Sequence, residues 1–92
     1  MTDRPTSGEL KIVNQLGLHA RAASKLVGLA NKFDAEVFLG NAGREVNAKS
    51  ILGVLMLAVG KGGTVTLRCA GREAPDAYAA LAELIAGGFG EP

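Results

Sequence analysis

The period of apolar positions changes several times along the chain, and each change marks an element. Residues 9–14 alternate, with Leu10 and Ile12 on one face, which predicts a strand. After a loop over 14–18, Ala23, Leu26, Val27, Ala30 and Phe33 recur at helical spacing. They predict a helix from about His19 or Ala20 to about Phe33, with Arg21, Ser24, Lys25 and Lys32 outward or along its edges. Residues 35–39 read as a second strand and 44–48 as a third. Gly40-Asn41-Ala42-Gly43 joins them as a hairpin turn, because these residue types tolerate positive φ. Ser50 precedes Ile51, Leu52, Leu55 and Met56, a short amphipathic helix for which serine is a natural N-cap. Gly60-Lys61-Gly62-Gly63 ends that segment as a plain turn. Residues 64–70 alternate cleanly, with Val65, Leu67 and Cys69 inward. Pro75 opens a last helix whose Tyr78, Leu81, Leu84 and Ile85 face the core, and Gly87-Gly88 closes it. Strand, helix, strand, strand, helix, strand, helix (βαββαβα) predicts an α+β open-faced sandwich: a four-stranded antiparallel sheet with three helices on one face.

Composition narrows the function. With 92 residues the chain suits one domain with a modest core, and 48% apolar residues favour folding over disorder. We expect a flexible leader over 1–8 and a single domain over 9–92. The leader lacks the apolar run of a signal peptide, and no stretch is long enough to span a membrane, so a cytoplasmic protein without membrane insertion is expected. A net charge of +1 and only four aromatic residues argue against a nucleic-acid surface. The one cysteine, Cys69, cannot form an internal disulfide and reads as a small buried hydrophobe. One cysteine and one histidine make no metal site, and no cofactor is expected.

The only histidine, His19, lies between the Gly17 turn and the start of the first helix. The first N–H groups of a helix have no partner within it, and the dipole there favours negative charge, so helix starts hold phosphate well. A neutral imidazole is a nucleophile near neutral pH, and Arg21 in the first turn offers a fork-shaped cation for phosphate oxygens. Phosphoryl transfer needs mainly positioning and charge stabilisation, which this stretch can supply. Taken by spacing alone, the same residues fit a capping histidine with no chemistry.

Two motifs weigh against that plain reading. Gly17-Leu18-His19-Ala20-Arg21-Ala22 resembles the active-site signature of the HPr family, the histidine-containing phosphocarriers of the bacterial phosphoenolpyruvate-dependent phosphotransferase system. The segment from Gly43 to Met56, with Lys49-Ser50-Ile51-Leu52-Gly53-Val54 at its centre, is similar to the family's regulatory serine region. The likeness runs from about Glu9 to Glu91. Two positions depart from it: Ala22 stands where the family often has proline, and Leu16 precedes the glycine where many members carry asparagine.

The resemblance implies the open-faced sandwich already read from the periodicities. It also implies a carrier rather than an enzyme, a monomer whose His19 accepts a phosphoryl group on Nδ1 from phosphorylated enzyme I. Enzyme IIA-type acceptors would take it onward, with phosphoenolpyruvate as ultimate donor. Arg21 would stabilise the phosphate, and HPr kinase/phosphorylase would modify Ser50. Partners are expected to dock on the apolar ground of Leu18, Ile51, Leu52, Leu55 and Met56. The competing reading is a regulatory protein-binding module that acts through Ser50 and the helix after it, without phosphorelay.

Overall fold

A computed structural model describes residues 4–91. Its elements are β1 (Ser7–Lys11), α1 (Ala20–Ala30), β2 (Glu36–Asn41), β3 (Arg44–Asn47), α2 (Ile51–Leu57), β4 (Thr64–Ala70) and α3 (Ala74–Ala86), then a single 3₁₀ turn over Gly88–Gly90. The strands form one sheet in the order β1-β4-β2-β3, and every neighbouring pair is antiparallel. Helices cover one face of it, and the α+β open-faced sandwich read from the periodicities is the observed fold.

β4 carries the architecture because it pairs on both sides. Its alternation puts Val65, Leu67 and Cys69 inward, where they meet Ile12, Leu26, Leu39, Leu81 and Ile85 in one continuous core. Burial pushes the Cys69 thiol pKa up, so it stays a protonated, inert hydrophobe. The opposite face of the sheet is polar. There Arg68 grips Glu45 with two hydrogen bonds of 3.0 and 2.8 Å and lies 4.2 Å over the Phe38 ring. The hairpin between β2 and β3 closes through two residues, Ala42 (φ 52°) and Gly43 (φ 82°), both in the left-handed region that a tight hairpin requires.

Several element boundaries differ from the expected ones. The first strand is Ser7–Lys11 rather than 9–14, because β4 offers partners out to Arg68 for Ser7. Ser7 and Gly8 therefore belong to the sheet and not to a leader. Of the remaining leader, residues 1–3 lie outside the described residues, and Arg4 is ion-paired with Asp76 at 2.8 Å. The first helix stops at Ala30, three residues early. Asn31 caps it with both its backbone N–H and its side-chain amide on the Val27 carbonyl, which turns the chain before Phe33. The second strand begins and ends later than expected, at Glu36 and Asn41, and leaves only two residues for the turn.

The largest difference is at the C-terminus. Gly88 (φ 65°), Phe89 (φ 59°) and Gly90 (φ 71°) take three left-handed conformations in a row and turn the chain back over the helices. For phenylalanine that conformation costs about 1–2 kcal/mol. Full burial of the ring, at 1% exposure, returns about 2–3 kcal/mol and offsets it. Lys25 Nζ on the Phe89 carbonyl at 2.7 Å fastens the turn to α1.

Candidate functional site

The loop before α1 is anchored at three points. Asn14 is buried, and its amide donates to the Gly17 carbonyl at 2.8 Å. Leu18 N–H donates to the Val59 carbonyl at 2.9 Å, and the Leu18 side chain is buried. Gly17 sits at φ 65° with its backbone against that of 59–60, where a Cβ would come within 2.5 Å of the Val59 carbonyl oxygen. Only glycine fits both demands.

This loop delivers His19 as the N-cap of α1, in extended conformation (φ −75°, ψ 176°). Its Nδ1 accepts the Arg21 backbone N–H at 3.3 Å, so that nitrogen faces the open, positive end of the helix. Its Nε2 is hydrogen-bonded to the Glu91 carboxylate. The other carboxylate oxygen of Glu91 accepts from the Asn14 amide at 2.9 Å. That amide bond first, and the His19 contact second, hold the Glu91 carboxyl below the usual carboxylate range. His19 keeps about a quarter of its side chain exposed, whereas Glu91 keeps 13%. The ring opens on a cleft of about 630 Å³ lined by Gln15, Leu16, Ala20, Arg21 and Glu91. Arg21 is exposed, and among the described residues its guanidinium makes no ion pair.

Ser50 stands at the second helix start. Its Oγ accepts the Gly53 N–H at 3.2 Å, the N-cap geometry expected from the sequence. α2 packs against α1 and turns Val54 and Leu57 into the core. Ile51, Leu52 and Met56 are left exposed, and Leu55 is partly buried. Leu18 is a correction: at 5% exposure it packs in the core and offers nothing to a partner, because the Gly17 turn points it inward. Leu16, at 68% exposure, takes its place in the His19 cleft.

Comparison with known proteins gives this geometry a family. The family model described as "PTS HPr component phosphorylation site" matches residues 6–87. The chain belongs to the HPr family of phosphotransferase-system phosphocarriers. It is 54% identical over 80 residues to the phosphocarrier protein HPr of Cupriavidus necator, covering 87% of this chain and 90% of that relative. It is 45% identical over 83 residues to the phosphocarrier protein NPr of Shewanella violacea, covering 90% and 91%. Among solved structures, HPr-C-His from Thermoanaerobacter tengcongensis superposes with a TM-score of 0.90 at 38% identity, over 94% of this chain and 97% of that one. A phosphocarrier of the phosphotransferase system is therefore the coarse function of this chain. Among the described residues, no helix is long and apolar enough to cross a membrane.

Sequence reasoning singled out His19, Arg21 and Ser50 as candidates but not Glu91, which bonds the ring, nor Asn14, which holds Glu91. Asn14 looked like the end of a strand. Glu91 is 72 positions from His19 and follows a Gly-Phe-Gly segment that read as chain beyond the last helix. No local pattern announces a contact made across that distance.

Proposed function

We propose that this chain accepts a phosphoryl group on His19 Nδ1 from phosphorylated enzyme I and passes it to enzyme IIA-type acceptors. The observation that carries the reading is the division of labour between the two ring nitrogens. Nδ1 faces the first-turn N–H groups of α1, and Nε2 is occupied by Glu91. A phosphoryl oxygen arriving beside Nδ1 meets the Arg21 N–H and the positive end of the helix dipole. The Arg21 guanidinium has no competing ion pair among the described residues and takes further phosphate oxygens as charge develops. Catalysis on this side is positioning and charge stabilisation, with no need for a resident cofactor.

Exposed Ile51, Leu52 and Met56, with Leu16 beside the histidine, form the docking ground in this reading, and Leu55 contributes its accessible edge. The carrier acts as a cytoplasmic monomer. Ser50 adds regulation: its modification by an HPr kinase/phosphorylase puts about two negative charges beside that apolar ground without removing the helix start it caps. The likeness of the segment around Ser50 to the family's regulatory region supports this step.

Incubation with enzyme I and phosphoenolpyruvate tests the reading. One acid-labile phosphoryl group per chain is expected, none on His19→Ala, and transfer onward to a IIA-type acceptor. Acid-labile phosphate on the alanine variant would remove His19 from the mechanism. A wild-type chain that stays unphosphorylated would leave the Ser50 binding module as the better account.

A further inference from the structure

The carboxylate behind the histidine is held too firmly for a chance surface contact. Glu91 Oε1 accepts from the Asn14 amide at 2.9 Å, and the same amide donates to the Gly17 carbonyl at 2.8 Å. Two acceptors facing one NH₂ group settle which way the Asn14 amide points, since the flipped amide would put oxygen against oxygen. Its Oδ1 is buried without a hydrogen-bond partner among the described residues, a cost the arrangement tolerates. The segment that brings Glu91 back is itself fastened, by the buried Phe89 ring and by Lys25 Nζ on the Phe89 carbonyl at 2.7 Å. Glu91 Oε2 then meets His19 Nε2. An ionised carboxylate only accepts hydrogen bonds, so the nitrogen facing it must carry the proton. At the other nitrogen a backbone N–H donates, so Nδ1 must present its lone pair.

We propose that Glu91, held by Asn14, is a positioning residue that locks the His19 ring in the Nε2–H tautomer and so makes Nδ1 the phosphoryl acceptor. The inference rests on the carrier reading for its second half, the choice of phosphorylated nitrogen. Its first half concerns the unphosphorylated ring alone. In the transfer step the Nδ1 lone pair forms the N–P bond as the bond from phosphorus to the donor's leaving nitrogen breaks, and that pair departs with the donor. No proton leaves the ring. It becomes an imidazolium whose Nε2–H still points at the Glu91 carboxylate, so the new positive charge forms against a fixed negative one. When the group moves on, the N–P pair returns to Nδ1 and the neutral Nε2–H tautomer is restored, ready for the next cycle. The same carboxylate serves both directions, as a reversible carrier requires.

Three measurements on Glu91→Ala and Glu91→Gln test this. Ring 15N chemical shifts of the unphosphorylated wild type at pH 8 should show Nε2 protonated and Nδ1 bare, and Glu91→Ala should give a mixture of tautomers. Glu91→Gln keeps an acceptor oxygen without the charge, so it should restore most of the tautomer preference but not the rate. After phosphorylation, wild type should carry phosphate on Nδ1 alone. Both variants should take it up roughly tenfold more slowly, the scale of one charge-assisted hydrogen bond at a partly exposed site. Far-UV circular dichroism and melting should show both variants folded. A Glu91→Ala ring that stays wholly in the Nε2–H form, or one that is phosphorylated at the wild-type rate, overturns the proposal. Failure of the carrier reading looks different: wild type itself would accept no phosphate while its ring shifts still reported the locked tautomer.

Discussion

The first two helices begin in the same way and differ in what stands behind the cap. At α1 an imidazole nitrogen accepts a first-turn N–H, and at α2 a serine hydroxyl does the same. Serine is a strong N-cap and histidine is not, so α2 has the better helix start. The difference lies in the second polar atom. Ser50 uses its one oxygen on the cap, whereas His19 has a second nitrogen, which a carboxylate from the far end of the chain holds in place. A cap becomes a candidate reaction centre when the rest of the fold orients the atom that the helix does not use.

The sharpest way to break this comparison is His19→Ala. It should fold, since only a weak cap is lost, and should lose acid-labile phosphorylation entirely, as a phosphorylation assay with enzyme I would show. Next in size is Arg21→Ala. Arg21 is exposed, and its charge near a helix start opposes the dipole, so removal should leave the melting temperature near wild type. Transfer should slow by about 10- to 100-fold, matching the loss of one or more charge-assisted phosphate contacts. Normal rapid-quench rates would return Arg21 to an ordinary surface role.

The Ser50 side is tested by a pair of substitutions that should move apart. Ser50→Asp keeps a capping oxygen and adds charge where the dipole favours it, so stability should hold while uptake from enzyme I slows several-fold. Ser50→Ala loses the cap and should cost about 1 kcal/mol in urea unfolding, with transfer nearly unchanged. Equal rates for the two variants would leave Ser50 as a helix cap only.

The smallest effect is pH dependence at the C-terminal latch. The Glu91 carboxyl lies below its ordinary value when folded, chiefly through Asn14 and then through His19. A depressed carboxyl contributes its full stabilisation above the unfolded value and loses it as pH falls through the folded one. Carboxyl 13C titration should therefore place the Glu91 midpoint on the acid side of a free glutamate. In Asn14→Ala it should move back toward the ordinary value.

How much of this was legible along the chain follows the range of the interaction concerned. The strand over 64–70 read correctly to the residue, because its alternation records burial on one face. Ser50 and the Gly17 turn read correctly because capping and positive φ are decided within four residues. The first strand was misplaced because its register is set by β4, more than 50 positions later. Leu18 read as partner surface because an apolar residue beside a histidine looks the same from the sequence whether it points in or out.

The sequence by itself determined the order of elements, the family, and the two side chains that cap α1 and α2. Those are matters of periodicity, turn chemistry and short motifs. Only the tertiary structure decided that Phe89 turns the chain back into the core, and that Glu91, held by Asn14, thereby meets His19. That contact depends on a left-handed turn at a non-glycine residue, which local preference disfavours and burial of one aromatic ring offsets. Where a long-range gain overrides a local cost, the outcome is visible only after the core has formed.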